Sequence, residues 1–186
     1  MNKIELRKEL LEKRKALSKT KKRSMDLEIQ SRLLMTDDYR CCDTVLVYVS
    51  KADEIDTFGI INAAFANKKK VAVPVTNEDF SLSFYYINSL EELSFGKFSV
   101  LEPTNKTSPV SNFDNTICVI PSLCCDLSGN RVGYGKGCYD RFLSRYNGKK
   151  ICLCNDFFIS RVCEFKTGIL ERIKDYFISY PFNTKE

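Results

Sequence analysis

The chain of 186 residues is 44% hydrophobic and 28% charged, with a net charge of +5. That length and usage suit one globular domain and exclude a disordered or fibrous protein. Histidine is absent, which removes Ser–His and Cys–His nucleophilic catalysis and every zinc site that needs imidazole.

The amino-terminal forty residues hold twelve Lys/Arg against seven acids, so the whole positive excess lies there. Such a patch attracts anions: nucleotide phosphates, a polyanionic substrate or nucleic acid; a solvated helix face is the alternative. Met1-Asn2-Lys3 leads into no apolar signal region, and no apolar run approaches the roughly 18 residues of a membrane span, so a cytoplasmic location is expected. Asn2 predicts a helix cap with Glu5 at the third position. Ile4, Leu6, Leu10, Leu11 and Leu17 follow at helical spacing, with Lys3, Arg7 and Arg14 on another face. Ser18 predicts the cap of a second helix to about Met35, with Met25, Ile29, Leu33 and Leu34 inward.

Thr44-Val45-Leu46-Val47-Tyr48-Val49 reads as a buried parallel strand, being short, continuously apolar and β-branched. A polar loop, Ser50 to Asp56, follows at its carboxyl end, and Thr57 predicts the cap of a helix to about Asn67. Val71 to Pro74 and Leu82 to Ile87 read as strands. Residues 91–101 are mixed, and 102–115 form a polar linker with two prolines. Ile117 to Ile120 is strand-like and stops at Pro121. A glycine-bearing loop, a helix from about Gly137 to Tyr146, a strand from Ile151 to Cys154 and a last strand near Tyr176 to Ser179 complete the pattern. Strands alternating with helices predict an α/β sheet covered on both faces, in one domain over 1–186 with the helices of 2–36 packed on it. Ligands of such sheets bind at the carboxyl ends of strands.

The nine cysteines include two adjacent pairs and no C-x-x-C, a poor framework for disulfides or zinc. Cys118, Cys125, Cys152 and Cys154 lie in or beside apolar runs, where reduced cysteine packs as a small hydrophobe. Packing is the reading for Cys124 as well.

Most of the chemistry is concentrated in Arg131-Val132-Gly133-Tyr134-Gly135-Lys136-Gly137-Cys138-Tyr139-Asp140-Arg141. Alternate glycines let the backbone take positive φ and approach a ligand, ahead of a helix start that favours an anion. Arg131, Lys136 and Arg141 add cations, and Asp140 is a candidate to hold a magnesium ion that bridges phosphate oxygens. A Walker A loop fails at Asn130 and Gly137, and a Rossmann loop fails because Gly137 comes one residue early.

From Pro121 through Asp126, Gly129 and Arg131 to Arg141, the segment resembles the signature of the 5-formyltetrahydrofolate cyclo-ligase family. Further matches follow in family order: Lys3 and Arg7, Asp53 to Thr57, Val73-Pro74, Gly96-Lys97-Phe98 and Glu102-Pro103. The resemblance implies a three-layer α/β/α sandwich with a mostly parallel sheet. It also implies ATP- and magnesium-dependent conversion of 5-formyltetrahydrofolate to 5,10-methenyltetrahydrofolate, with ADP and phosphate released. It assigns ATP to Lys3, Ile4, Glu5, Leu6 and Arg7 and to Arg131, Val132, Gly133, Tyr134, Gly135, Lys136, Gly137, Cys138 and Tyr139. Val49 and Glu54 would contact the folate, with Tyr134 to Cys138 near the reacting group. Lys136 and Arg131 would be catalytic, and Asp140 and Glu171 would ligate the metal. Cys138 stands where an aromatic is usual, Val75 where a cation is usual, and Phe157-Phe158 replaces a Phe-Gln pair.

A monomer acting on a folate and ATP is expected. Lys13, Arg14 and Lys15 read as solvated, with a polyglutamate tail as their alternative partner. The competing readings are a paralogue with another substrate and an RNA-binding module using the basic first forty residues. Against the latter, Phe80, Phe84, Tyr85 and Tyr86 read as strand core rather than a stacking platform, so no nucleic acid is expected.

Overall fold

The computed structural model describes residues 3–126 and 130–154, together with the backbone of two short later strands. The expectations for Asn2, Phe157, Phe158 and Glu171 lie outside the described residues. Helices α1 (Lys3–Lys15), α2 (Lys19–Met35) and α3 (Asp37–Cys41) come first. Then come β1 (Thr44–Val47), α4 (Phe58–Ala66), β2 (Lys70–Thr76) and β3 (Leu82–Ile87). A hairpin of β4 (Leu93–Phe95) and β5 (Leu101–Pro103) precedes β6 (Thr116–Ile120). The rest comprises β7 (Cys124–Asp126), β8 (Arg131–Val132), α5 (Cys138–Leu143), β9 (Lys149–Leu153), β10 (Ile159–Ser160) and β11 (Tyr176–Ile178).

Six strands form the central sheet in the order β11-β9-β6-β1-β2-β3. All neighbours are parallel except β3, which runs antiparallel to β2 at one edge. Alternation along the strands sorts the core into two layers. Val45, Val47, Val71, Val73, Ile117 and Val119 face one side, where they meet Ile29 and Leu33 of α2, Tyr39 of α3 and Ile60, Ile61 and Ala64 of α4. Leu46, Ala72, Cys118, Ile120 and Cys152 face the other, against Leu10 of α1 and Phe142 and Leu143 of α5. Each fully buried aliphatic side chain contributes roughly 1.5–3 kcal/mol, so these two layers hold the helices on the sheet. The fold is the expected three-layer arrangement.

Ser18 caps α2 through a bond from Lys21 N. Thr36 ends α2 and starts α3: its hydroxyl donates to Leu33 O at 2.8 Å and accepts from Tyr39 N at 3.2 Å. Cys118, Cys124, Cys125, Cys152 and Cys154 are buried and form no disulfide, as packing requires. No helix among the described residues is long and apolar enough to cross a membrane.

From β1 the chain passes through α4 to β2 on one side, and it later enters β6 on the other side of β1. The connections diverge there, opening a crevice at the carboxyl ends of β1 and β6.

Candidate active site

The loop leaving β1 is tied down by its own side chains. Thr57 Oγ1 donates to Tyr48 O at 2.6 Å and accepts from Ser50 N at 3.2 Å, while Ser50 Oγ accepts from Thr57 N at 3.1 Å. Tyr48 donates its hydroxyl to Ile55 O at 3.0 Å. Thr57 is therefore the N-cap of α4 by position, as expected, but its hydroxyl serves the loop and makes no cap bond. Glu54 is presented from this frame, its Oε2 accepting from Lys51 N at 2.8 Å. Burial raises the Glu54 pKa above the usual carboxylate value, opposed by the bonds from Lys51 and Tyr134.

Opposite lies the glycine segment. Cys124 and Cys125 of β7 pair with Val132 and Arg131 of β8, so the segment springs from a short antiparallel hairpin. Gly135 has φ +100° and Gly137 φ +69°, both in the region that favours glycine. A Cβ on Gly135 would lie 3.2 Å from the Arg7 guanidinium, and Arg7 Nε donates to Gly133 O at 2.9 Å. Arg131 is buried. It pairs with Asp140, donates to Pro121 O at 3.4 Å and lies 5.7 Å from the Tyr139 ring centroid. Lys136 Nζ sits 5.2 Å from the centroid of Phe80. Arg141 braces the turn, donating to Lys136 O at 2.8 Å and Phe80 O at 3.1 Å.

Between the loop and the glycine segment lies a cavity of about 320 Å³. It brings together Arg7, Val49, Glu54 and every residue from Arg131 to Asp140. The first helix divides differently from the expectation. Arg7 reaches the cavity, Leu6 packs against the core, and Ile4 and Glu5 are exposed and do not line it; the side chain of Lys3 is outside the described residues. Val75 is buried in β2, and Pro74 and Thr76 take its place on the cavity wall.

Asp140 is partly exposed on the wall, with Oδ1 against Arg131 and Oδ2 on the Gly137 side. No group of three or more His, Cys, Asp or Glu residues arranged to hold a metal ion is found among the described residues. A single carboxylate such as Asp140 would suffice for magnesium, which keeps several waters and takes its remaining ligands from substrate phosphates.

Arg14, expected in solvent, is 6% exposed. It donates to the carbonyls of Ser122 and Leu123 and, at 3.4 Å, to the Tyr134 hydroxyl. Its place on the helix face of Arg7 was the sequence signal for this. Phe80 departs from the strand-core reading too. It stands in the turn before β3 at φ +61°, against Lys136, while Phe84 is the buried member of that group. Lys51 and Phe98 also line the cavity; Phe98 belongs to the Gly96-Lys97-Phe98 match, whereas Lys51 carried no sequence signal of its own.

Residues 1–163 match the model of the 5-formyltetrahydrofolate cyclo-ligase family. Similar curated proteins include a probable 5-formyltetrahydrofolate cyclo-ligase of Schizosaccharomyces pombe, 26% identical over 66% of this chain and 62% of that protein. The mitochondrial 5-formyltetrahydrofolate cyclo-ligase of Arabidopsis thaliana is 28% identical over 73% of this chain and 54% of its own length. The chain thus spans less than two thirds of these two relatives, but 78% of the Escherichia coli 5-formyltetrahydrofolate cyclo-ligase, at 26% identity. Among solved structures, the 5,10-methenyltetrahydrofolate synthetase of Aquifex aeolicus superposes with a TM-score of 0.80 at 27% identity, covering 95% of each chain. With the family model covering most of its length and the sheet, crevice and glycine segment all in place, the chain belongs to the 5-formyltetrahydrofolate cyclo-ligase family.

Proposed function

We propose that this protein is an ATP-dependent ligase of folate one-carbon metabolism that cyclises 5-formyltetrahydrofolate to 5,10-methenyltetrahydrofolate. The observation that carries this reading is the facing of Glu54 and the Arg131–Asp140 segment across one cavity at the switch point of the sheet. One wall offers a buried carboxyl to a heterocycle, and the other offers cations and glycine backbone to a triphosphate.

A formyl oxygen is a poor leaving group. Transfer of the γ-phosphoryl group to it breaks the bond between γ-phosphorus and the bridging oxygen of ADP. The neighbouring folate nitrogen then attacks the formyl carbon, loses its proton, and the oxygen departs as part of phosphate. Such transfer asks the protein for positioning and charge neutralisation and for no protein nucleophile, which suits a chain without histidine. Lys136 and Arg7 would neutralise phosphate oxygens. Arg131, fixed between Asp140 and Pro121, would hold the segment in shape. Asp140 would hold magnesium, whose charge offsets that of the triphosphate when bound.

Purified protein given ATP, magnesium and 5-formyltetrahydrofolate is expected to develop the near-ultraviolet absorbance of the methenyl product. Lys136→Ala and Asp140→Asn are each expected to lose at least about tenfold in turnover while remaining folded, Lys136→Ala near the wild-type unfolding midpoint and Asp140→Asn at a lowered one, because asparagine leaves the buried Arg131 without its carboxylate partner. No absorbance change with saturating substrates would dismiss the reading, and wild-type rates in both variants would dismiss the assigned roles.

A further inference from the structure

Two phenylalanines meet beside this cavity, Phe98 on its wall and Phe80 behind it against Lys136, and the backbone of each is held in the left-handed region. Phe80 has φ +61° and Phe98 φ +60°, a conformation that a bulky residue adopts only when its surroundings impose it. Their rings stack with centroids 6.0 Å apart at 28°. A basic side chain clamps the carbonyl of each: Lys51 Nζ donates to Phe98 O at 2.8 Å, and Arg141 donates to Phe80 O at 3.1 Å.

The two rings come from different elements and are tied to different halves of the site. Phe98 stands at the tip of the β4–β5 hairpin, closed by a bond from Gly96 N to Val100 O at 2.8 Å. The buried Glu102 carboxyl roots that hairpin: a Cβ on Gly96 would lie 2.5 Å from it, and it accepts from Lys106 at 3.3 Å. Lys51 links the tip to the loop of Glu54, the folate side of the proposed function. Phe80 belongs to the phosphate side, with Lys136 against its ring and Arg141 joining its carbonyl to that of Lys136. Phe98 is 54% exposed while lining the cavity, so its ring is available to a ligand rather than committed to the core.

We propose that Phe80 and Phe98 form an aromatic clamp across the junction of the two substrates, positioning the formyl group against the γ-phosphoryl group and keeping water from it. The inference rests on the proposed function. Water and the formyl oxygen are alternative nucleophiles toward the γ-phosphorus. Attack by the formyl oxygen yields ADP and the phosphorylated folate that cyclises. Attack by water breaks the same bond to the bridging oxygen and gives ADP and phosphate, with the folate unchanged. An apolar cover over the junction favours the first outcome.

The test counts ADP released and methenyl product formed in the same reaction, with ATP, magnesium and 5-formyltetrahydrofolate. Wild-type protein is expected to give one ADP per product. Phe98→Ala is expected to release several ADP per product and to raise the KM for the folate, and Phe98→Tyr, which keeps the ring, to restore coupling. Phe98→Gly guards against misfolding, because glycine takes this φ freely; it should uncouple as alanine does without lowering the unfolding midpoint. One-to-one coupling in Phe98→Ala or Phe98→Gly overturns the clamp while leaving the proposed function intact. Wild-type protein that makes no methenyl product overturns the proposed function, and the clamp with it.

Discussion

Glu54 is a buried carboxyl whose environment is mostly unfavourable to its charge. Desolvation raises its pKa, so the folded protein holds this proton more tightly than the unfolded chain, whose ordinary value is 4.5. Folding then binds a proton, and the stability that accompanies it is complete below that value and is lost as pH rises through the raised folded one. Replacing the group by an uncharged isostere removes this penalty. Glu54→Gln is expected to gain stability relative to wild type as pH goes from about 4 to about 7.5, while losing activity with the folate. Urea unfolding midpoints at the two pH values measure it. A constant difference between the two proteins would show that burial does not raise the pKa of this carboxyl.

The glycine segment works because its conformation is unavailable to most residues. Gly137 precedes α5 at φ +69°, and a Cβ there would lie 3.2 Å from Arg141 Nη1. Gly137→Ala is expected to cost about 1–2 kcal/mol, the penalty for an L-residue in left-handed backbone, and to lower turnover as well. Denaturant midpoints read the first effect, and unaltered stability would mean that the turn is free to take another shape. The Arg131–Arg141 segment was legible in the sequence because side-chain demand and backbone demand coincide there. So were β1, β2, β3, β6 and β9, each a β-branched or apolar run of suitable length. The β7–β8 hairpin was not, since Arg131–Val132 is too short to carry a pattern and its pairing with Cys124 and Cys125 is set by the fold. Helix α3 escaped notice because Thr36 ends one helix and caps the next, which no periodicity records. Arg14 was visible on the face of Arg7, but its burial depends on Ser122 and Leu123, which lie more than a hundred residues away.

Across the whole molecule, α1 is the piece whose charge and position serve the crevice together. Leu10 anchors it to the core layer of α5, and two arginines on one face reach the glycine segment and the turn after β6. Arg7 holds Gly133 O and packs against Gly135; Arg14 holds the turn after β6 and the hydroxyl of Tyr134. These bonds differ in what they support. The Arg7 bond is part-buried, and Arg7 faces the cavity where a triphosphate would lie, so removing it costs about 1 kcal/mol of stability but a larger share of nucleotide binding. Losing Arg14 leaves buried carbonyls without their donor, at about 1–3 kcal/mol, and frees Tyr134 as well. A ligand that binds only the folded state raises stability by about 2.7 kcal/mol at a hundredfold excess over its Kd, so thermal unfolding with and without magnesium-ATP separates the two roles. Arg7→Ala is expected to keep nearly the wild-type midpoint without nucleotide and to lose most of the ATP-induced rise. Arg14→Ala is expected to start several degrees lower and to lose part of that rise, because a loosened glycine segment must be ordered again on binding. Equal ATP-induced rises in all three proteins would mean that α1 is a structural helix only, and that the amino-terminal positive charge serves solubility rather than the triphosphate.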